Sequence, residues 1–267
     1  MTDKKPVPCA EVPFTTYGEA VRQALDTAGA REVMARQKLV LVKPNLVNAA
    51  PPPVTTPVDC CAAVIDYVRE FSRAEVVIGE GCGDALRDTA EVFELLGYAD
   101  LASRTGAALV DLNTQPLRRL TRPDCPVFPE MHLPEISLEA FLLSVPVLKA
   151  HSLAGMTGSL KNMIGLAPPR HYAGSHGTWK KAVFHSRMQQ SIIDLNRYRC
   201  ADLTVMDASV GMAEYHLGGP ECDPPINRIL AGFDPLALDR EGAGLLGLDW
   251  RDVGHLAVRE PFRRHFE

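Results

Sequence analysis

The sequence predicts an α/β fold, with a mainly parallel or mixed central sheet and helices on both faces. Apolar runs that contain β-branched residues, such as 38–42 (KLVLV) and 74–78 (AEVVI), are typical of strands buried on both faces. Amphipathic segments of helical length alternate with these runs. Loops rich in glycine and proline join the two kinds of segment. Together these three observations are typical of parallel βαβ units.

In the first part of the chain, breaking and capping residues set the predicted boundaries. A helix at 18–29 ends with glycine, and the strand at 38–42 is followed by Lys43 and Pro44, where the chain turns into a proline-rich loop. A helix over 56–71 begins with threonine, which can cap a helix, and proline, which suits the first turn.

The remaining predicted elements follow the same alternation. In chain order we expect a strand at 74–78, a helix that ends at Gly97, a strand at 107–112, a strand at 140–148, helices at 158–166 and 181–196, strands at 203–206 and 228–231, and a helix at 235–246. We expect one domain over residues 1–267. Two lobes, 1–112 and 140–267, joined by the proline-rich segment 113–139, are the alternative organisation.

The composition limits the classes of partner. The chain has 267 residues, of which 46% are hydrophobic and 23% charged, as in globular proteins. A formal net charge of -5 disfavours nucleic-acid binding, which needs a basic face. No apolar run is long enough to cross a bilayer, and the first residues lack the hydrophobic segment of a signal peptide. We therefore expect a cytoplasmic protein with no nucleic-acid or membrane partner, and we leave a homodimer open.

The cysteines predict neither disulfides nor a cluster. Seven cysteines, an odd number, are typical of reduced thiols in a chain of this size. There is no C-x-x-C pair and no close-spaced cysteine run, so we expect no intrinsic iron–sulfur cluster. The set His151, His171, His176 and Asp207 matches no strong metal motif. We therefore predict no metal ligands and no certain cofactor, and leave a divalent metal open.

Polar residues follow the predicted strands where each one ends. Ligands of open α/β sheets bind beyond the carboxyl ends of the strands, so these side chains are candidates for one shared site. They are Lys43, Asn45, Glu80, Lys149, His151, Asp207 and Asp234. The lysines offer cations for an anionic ligand, and the others offer acids and bases for proton transfer. A lysine whose stem carries its charge to solvent is the alternative reading of Lys43.

The densest group of candidates lies at 149–162. It comprises Lys149, His151, Thr157, Lys161 and Asn162. Two lysines without carboxylates nearby in sequence indicate a site for an anion, and Ser159 and the first N–H groups of the 158–166 helix can add contacts. A core helix with one outward-reaching lysine is the alternative.

Histidines and a glycine-rich loop complete the candidates. We expect His151 or His185 to transfer protons, oriented by Asp207, with His171 and His176 as the next choices. The loop at 79–83 (GEGCG) follows a strand and precedes a helix, so its backbone can hold a phosphate or carboxylate. We read Cys82 in this loop as an inert thiol.

Several segments together resemble the family catalogued as domain of unknown function 362. They are LVKPNLV, GEGCG with the following TAEVFELLGY, VPVLKAHSLAGMTGSLKNMIG, LTVMDASVGM and ILAGFDPLALDREGAGLLG. The resemblance runs in order over most of the chain, and its motifs fall on Lys43, Asn45, Lys149, His151, Lys161, Asn162, Asp207 and Asp234. Many members of the family carry an added ferredoxin-like module, but this chain lacks its cysteine runs. The resemblance therefore implies the fold and no particular activity.

The sequence predicts an enzyme that acts on a small anionic metabolite bearing a carbonyl or carboxylate group. Lys149 and Lys161, with Lys43 and Asn162, would stabilise an enolate or oxyanion, and isomerase, lyase and cofactor-free oxygenase outcomes stay open. One alternative is a redox accessory protein that works with a separate iron–sulfur partner. Another is a non-catalytic module that binds an anion or a metal.

Overall fold

The computed structural model describes residues 9–174, 180–259 and 262. Its strands are β1 (Ala10–Pro13), β2 (Leu39–Pro44), β3 (Glu75–Glu80), β4 (Ala108–Asp111), β5 (Leu117–Thr121), β6 (Glu130–Pro134), β7 (Phe141–Val145), β8 (Val147–His151), β9 (Gly155–Thr157), β10 (Leu203–Met212) and β11 (Arg228–Gly232). Its α-helices are α1 (Tyr17–Thr27), α2 (Ala30–Met34), α3 (Val58–Phe71), α4 (Thr89–Leu95), α5 (Tyr98–Thr105), α6 (Glu135–Glu139), α7 (Ser159–Asn162), α8 (Pro169–Tyr172), α9 (Met188–Tyr198) and α10 (Pro235–Leu245). Short 3-10 helices span Met163–Leu166, Ala182–Arg187 and Trp250–Asp252.

A mixed sheet, nine-stranded in the described part of the chain, forms the centre of the fold. Its main order is β1-β11-β10-β7-β2-β3-β4, and β8 pairs with both β10 and β9. The strands β10, β7, β2, β3 and β4 run parallel, whereas β11 is antiparallel to β10 and β1 to β11. The predicted α/β class with a mixed central sheet is confirmed.

Alternating side chains of β2 show how the sheet is covered. Val40 and Val42 pack in the hydrophobic cluster that includes residues of α1, α3 and α5. Leu41, between them, packs in the cluster that includes residues of α6 and α9. Because successive strand residues point to opposite faces, the helices flank the sheet on both sides. This burial on both faces explains the continuous apolar run in the sequence.

The predicted single strand at 140–148 is two strands. β7 ends at Val145 and β8 begins at Val147, so the chain is interrupted at Pro146, which has no N–H to give to a neighbouring strand. β7 pairs with β2 and β10, and β8 pairs with β10 and forms a hairpin with β9. The interruption moves Lys149 out of the main strand and into this hairpin.

Two predicted details of the loops are also corrected. Thr56 does not cap α3, because its hydroxyl donates to the Val145 carbonyl at 2.7 Å and accepts from the Asn45 N–H at 2.8 Å. The segment 113–139, expected as a connection, contains the β5–β6 hairpin and α6. Strands from both sides of this segment pair in the same sheet through β2 and β7.

Within the described residues, no helix combines the length and the apolar character needed to cross a membrane. All seven cysteines fall in the described ranges, and each is a free thiol.

Arg199 joins the end of α9 to the start of β7. Its buried guanidinium donates to the Ser137 carbonyl at 2.6 Å and forms an ion pair with Asp202 at 2.6 Å. Asp202 in turn accepts the N–H of Leu142 at 2.7 Å. This ion pair therefore holds the end of α9 against the start of the central strand β7.

We predict that Arg199→Met lowers the free energy of unfolding by about 3 to 5 kcal/mol, because it removes a buried guanidinium that pairs with Asp202 and donates to the Ser137 carbonyl. Urea denaturation followed by circular dichroism measures the change. Arg36→Met, at an exposed arginine after α2, serves as the matched control, with an expected change below about 0.5 kcal/mol. Equal small losses in both variants would contradict a stabilising role of the pair.

Candidate functional site

A cleft of about 130 Å³ opens at the carboxyl edge of the parallel strands. β2, β3, the β8–β9 hairpin and α7 supply most of its polar lining. The polar residues that line it are Lys43, Asn45, Glu80, Lys149, His151, Thr157, Lys161, Asn162, Lys181, His185 and His216. Nine of these eleven are sequence candidates that the fold brings together, and Lys181 and His216 are not.

A buried ion pair lies at the floor of the cleft. Lys43 at the end of β2 and Glu80 at the end of β3 are almost fully buried, and Lys43 Nζ lies 2.9 Å from Glu80 Oε2. Burial lowers the pKa of Lys43, and the Glu80 carboxylate opposes that shift. Parallel neighbouring strands thus place a cation and an anion side by side.

The Glu80 carboxylate accepts three hydrogen bonds from the protein itself. Besides Lys43, it accepts the N–H of Leu46 at 3.0 Å and the N–H of Gly81 at 2.8 Å. Gly165 lies against the pair so closely that a Cβ there would overlap Glu80 Oε1 and Lys43 Nζ. The glycine at 165 is therefore required by close packing.

Asn162 connects α7 to the floor of the cleft. Its Oδ1 accepts from Lys43 Nζ at 3.1 Å, and its Nδ2 donates to the Lys43 carbonyl at 3.2 Å and to Ser144 Oγ at 3.0 Å. α7 is therefore fixed against β2 and β7. The neighbouring Lys161 consequently reaches the cleft from a rigid element.

The amino-terminal end of α7 does not face the cleft as an anion site. The Asp239 carboxylate from α10 accepts the N–H groups of Ser159 at 2.6 Å and Leu160 at 2.9 Å. The expectation that these donors are open to an incoming anion is therefore wrong. Burial raises the pKa of Asp239 to about 7, and the two N–H donors oppose the shift.

Lys149 reaches the cleft from β8. Its ammonium donates to Asn45 Oδ1 at 2.8 Å and to the carbonyl of Val54. Burial, followed by the charge of Lys161, lowers the pKa of Lys149 to about 7. Asn45, expected as a substrate-binding residue, thus holds this lysine in the cleft.

Lys161 is half-buried and lines the cleft. Within the ranges that the structure describes, it has no hydrogen-bond or ion-pair partner. Burial, and then the charge of Lys43, lower its pKa to about 8. It is therefore an amine that lines the cleft and forms no hydrogen bond with any residue that the structure describes.

Lys181 is a cleft residue that sequence analysis missed. Its buried ammonium donates to Asn113 Oδ1 at 2.9 Å, to the Gly165 carbonyl at 3.2 Å and to the Ala167 carbonyl. Burial lowers its pKa to about 7. The sequence shows two adjacent lysines before an apolar run, which does not reveal which of them points inward.

The hydrogen bonds of His151 define its tautomer. Its Nδ1 lies 3.1 Å from the N–H groups of both Leu153 and Ala154, so Nδ1 is the acceptor and the proton is on Nε2. Burial and then Lys161 lower the pKa of His151 to about 2, so the ring is neutral. His151 can therefore give a hydrogen bond through Nε2.

His216 stacks on His151, with ring centroids 3.7 Å apart. Its Nδ1 is buried and has no partner among the described residues, and burial lowers its pKa to about 4. His216 was missed from the sequence because the predicted strand ends at residue 206, whereas β10 continues to Met212. The polar residues after the true strand end include His216.

Two further candidates lie at different depths of the cleft. Thr157 Oγ1 is buried and has no hydrogen-bond partner among the described residues. His185 is exposed at the rim, and its Nδ1 lies 3.3 Å from the carbonyl of Ala182. Thr157 thus places its hydroxyl inside the cleft, and His185 lies at the solvent-exposed rim.

Asp207 and Asp234 lie outside the cleft lining. Asp207 lies within β10, where it accepts from Tyr17 at 3.1 Å and from the N–H of Ser209 at 2.9 Å. Burial raises its pKa. Asp234 follows the antiparallel strand β11, so it lies at the opposite edge of the sheet, and its carboxylate caps α10. Neither aspartate orients a cleft histidine within the described part of the chain.

Of the two remaining histidine candidates, the structure describes His171. His171 stacks on His132 with ring centroids 4.0 Å apart, away from the cleft lining, and His176 lies outside the described residues. Within the described ranges, no three or more His, Cys, Asp or Glu side chains form a group suited to a metal ion.

We predict that Glu80→Gln lowers the free energy of unfolding by about 3 to 5 kcal/mol, because Lys43 is left buried without its anion. The double variant Lys43→Met with Glu80→Gln should recover part of the loss. Urea denaturation measures both. The exposed pair of Arg118 and Glu139 provides the control, since Glu139→Gln should cost less than about 1 kcal/mol. The single variant Lys43→Met completes the cycle, and a double variant whose loss equals the sum of the losses of the two single variants would contradict the coupling.

Comparison with known proteins supports the fold. A model of the family described as domain of unknown function (DUF362) matches residues 40–244. Among solved structures, the apoprotein of lactate racemase from Thermoanaerobacterium thermosaccharolyticum is similar, with a TM-score of 0.58 and 14% sequence identity. The similarity covers 90% of this chain and 57% of that chain, so this chain spans little more than half of that protein. No curated protein sequence matches this chain.

Proposed function

The chain belongs to the family described as domain of unknown function (DUF362), and from the cleft of this member we propose an enzyme that acts on a small carboxylate-bearing metabolite. The proposed substrate carries a carbonyl or hydroxyl group on the carbon next to its carboxylate. The proposed chemistry is formation of an enolate or oxyanion, assisted by lysine and histidine side chains.

The observation that carries the proposal is the excess of cationic side chains in the cleft. Glu80 already pairs with Lys43, whereas Lys149, Lys161 and Lys181 have no carboxylate at ion-pair distance among the described residues. Buried ammonium groups are costly without anions, and their lowered pKa values express that cost. A bound carboxylate would supply the missing negative charge.

The neutral donors of the cleft suit an oxygen next to that carboxylate. Thr157 Oγ1 has no hydrogen-bond partner among the described residues, and His151 carries its proton on Nε2. One preorganised donor to a developing oxyanion contributes roughly 3 kcal/mol of transition-state stabilisation. We assign His151 as such a donor, and His216 and His185 as the candidates for proton transfer.

An enolate held in this way can be reprotonated, can lose a leaving group or can react with oxygen. Isomerase, lyase and cofactor-free oxygenase activities therefore all belong to the proposal. The shared fold with a lactate racemase supports a small 2-hydroxy acid or 2-oxo acid as the first substrate class to test. The proposed steps use side chains of this chain, and divalent metals belong in the same ligand screen.

We predict that lactate or pyruvate raises the melting temperature of the protein. A ligand at one hundred times its dissociation constant stabilises the folded state by roughly 2.7 kcal/mol. Lys149→Met and Lys161→Met should lose most of the shift, because each removes a cation from the cleft. Lys38→Met is the matched control, since Lys38 is exposed and lies directly before β2, outside the cleft lining. Equal shifts in all variants would rule out the cleft as the binding site.

We predict that the affinity for a carboxylate falls as the pH rises. Lys149 and Lys181 have pKa values of about 7, so they are charged below that pH and mostly neutral well above it. Each lysine that must regain a proton weakens binding by up to about tenfold per pH unit above its pKa. Isothermal titration calorimetry at about pH 6 and about pH 9 measures this, and buffers of different ionisation enthalpy report the proton uptake. An affinity independent of pH would contradict the role of these lysines.

Turnover distinguishes the enzyme from a binding module. Formation of an enolate exchanges the methyl protons of pyruvate with solvent, so incubation in heavy water should deplete the methyl signal in proton NMR. Wild-type protein and the Lys38→Met control should catalyse the exchange, and Lys149→Met should not. Binding without exchange of either lactate or pyruvate protons would favour the non-catalytic module.

A further inference from the structure

We infer that Lys161 is a nucleophile that forms an imine with the ketone of a small 2-oxo acid. The inference rests on the proposed function, because it needs the carboxylate of the ligand to be held in the same cleft. It goes further in assigning a covalent step and one reacting atom, Lys161 Nζ.

Its unused hydrogen-bonding capacity distinguishes Lys161 from the other cleft lysines. Lys43 is engaged by Glu80 and Asn162. Lys149 and Lys181 each donate to at least two oxygens of the protein. An amine that is surrounded by acceptors is held as a donor, whereas an amine that attacks a carbonyl must present its lone pair to the substrate. Lys161 has no such partner in the described part of the chain.

The surroundings also favour the neutral amine that the reaction requires. A lysine becomes nucleophilic when it is desolvated or lies next to another cation. Both conditions hold for Lys161, since burial and the charge of Lys43 lower its pKa to about 8. At pH 7 about a tenth of the amine is therefore neutral, against well below a thousandth for an ordinary lysine.

The helix that carries Lys161 is fixed at both ends. Asp239 holds the N–H groups of Ser159 and Leu160 at the start of α7, and Asn162 joins its end to β2 and β7. A nucleophile on a rigid element loses little conformational freedom when it reacts. The carboxylate of a 2-oxo acid lies one bond from its ketone, so charged groups that hold the carboxylate also hold the reacting carbon near this helix.

The proposed step balances with water as the by-product. Lys161 Nζ adds to the ketone carbon, and the carbonyl electrons pass to oxygen, which the Nε2–H of His151 is suited to polarise. A proton moves from nitrogen to that oxygen to give a carbinolamine. A second proton, taken from solvent, protonates the hydroxyl so that it leaves as water, and the nitrogen lone pair forms the C=N bond. The protonated imine then withdraws electrons from the adjacent carbon, which acidifies its C–H bond.

Borohydride trapping tests the inference. Wild-type protein is incubated with pyruvate at about pH 8, close to the pKa of Lys161, and sodium borohydride is added to reduce any imine to a stable amine. Intact-mass spectrometry should show one adduct equal to pyruvic acid less one oxygen atom. Peptide mapping should locate it on Lys161. Lactate, which has no ketone, should give no adduct.

Lys161→Arg is the decisive variant, because arginine keeps the positive charge but does not form the imine. We expect it to retain a thermal shift with pyruvate and to lose the borohydride adduct, whereas Lys38→Arg should keep both. An adduct on another lysine, or no adduct in wild-type protein that binds pyruvate and exchanges its methyl protons, overturns the imine and leaves the proposed function standing. Absence of pyruvate and lactate binding overturns both.

Discussion

The ion pair of Lys43 and Glu80 is the constraint on which the site depends. Two charges at the ends of neighbouring parallel strands can stay buried only if every other polar atom around them is also satisfied. Asn162 and the backbone of the glycine-rich loop provide that satisfaction. The pair therefore specifies where α7 lies, how closely residue 165 may approach and how the loop after β3 turns. The ion pair of Lys43 and Glu80 therefore positions the elements around the cleft.

Burial lowers the pKa values of Lys149, Lys161 and Lys181 most, and neighbouring lysine charges add to the effect. The carboxylate on the floor of the cleft is consumed by Lys43, and no other acid reaches ion-pair distance of Lys149 or Lys161 in the described ranges. Each further cation then raises the cost of protonating the next one. In a cleft of this kind, a bound anion favours protonation of the lysines, and protonated lysines in turn favour binding of the anion.

Much of the fold could be predicted from the sequence, since apolar runs of strand length and glycine or proline boundaries are local signals. The convergence of Lys43, Glu80 and Lys149 followed from one rule about parallel strand ends. The same rule failed for Asp234, because the direction of a strand is set by its partners and β11 runs antiparallel. It missed His216, because the polar residues within β10 concealed the true end of that strand. Which of two adjacent lysines points inward depends on tertiary packing, which the sequence does not encode locally.

The cap that Asp239 places on α7 has a consequence for the order in which the protein is made. The helix that carries Lys161 is anchored by a side chain about eighty residues further along the chain. During synthesis the strands that carry Lys43 and Glu80 leave the ribosome long before that anchor does. α7 therefore lacks its cap on the growing chain until α10 has been synthesised and has docked.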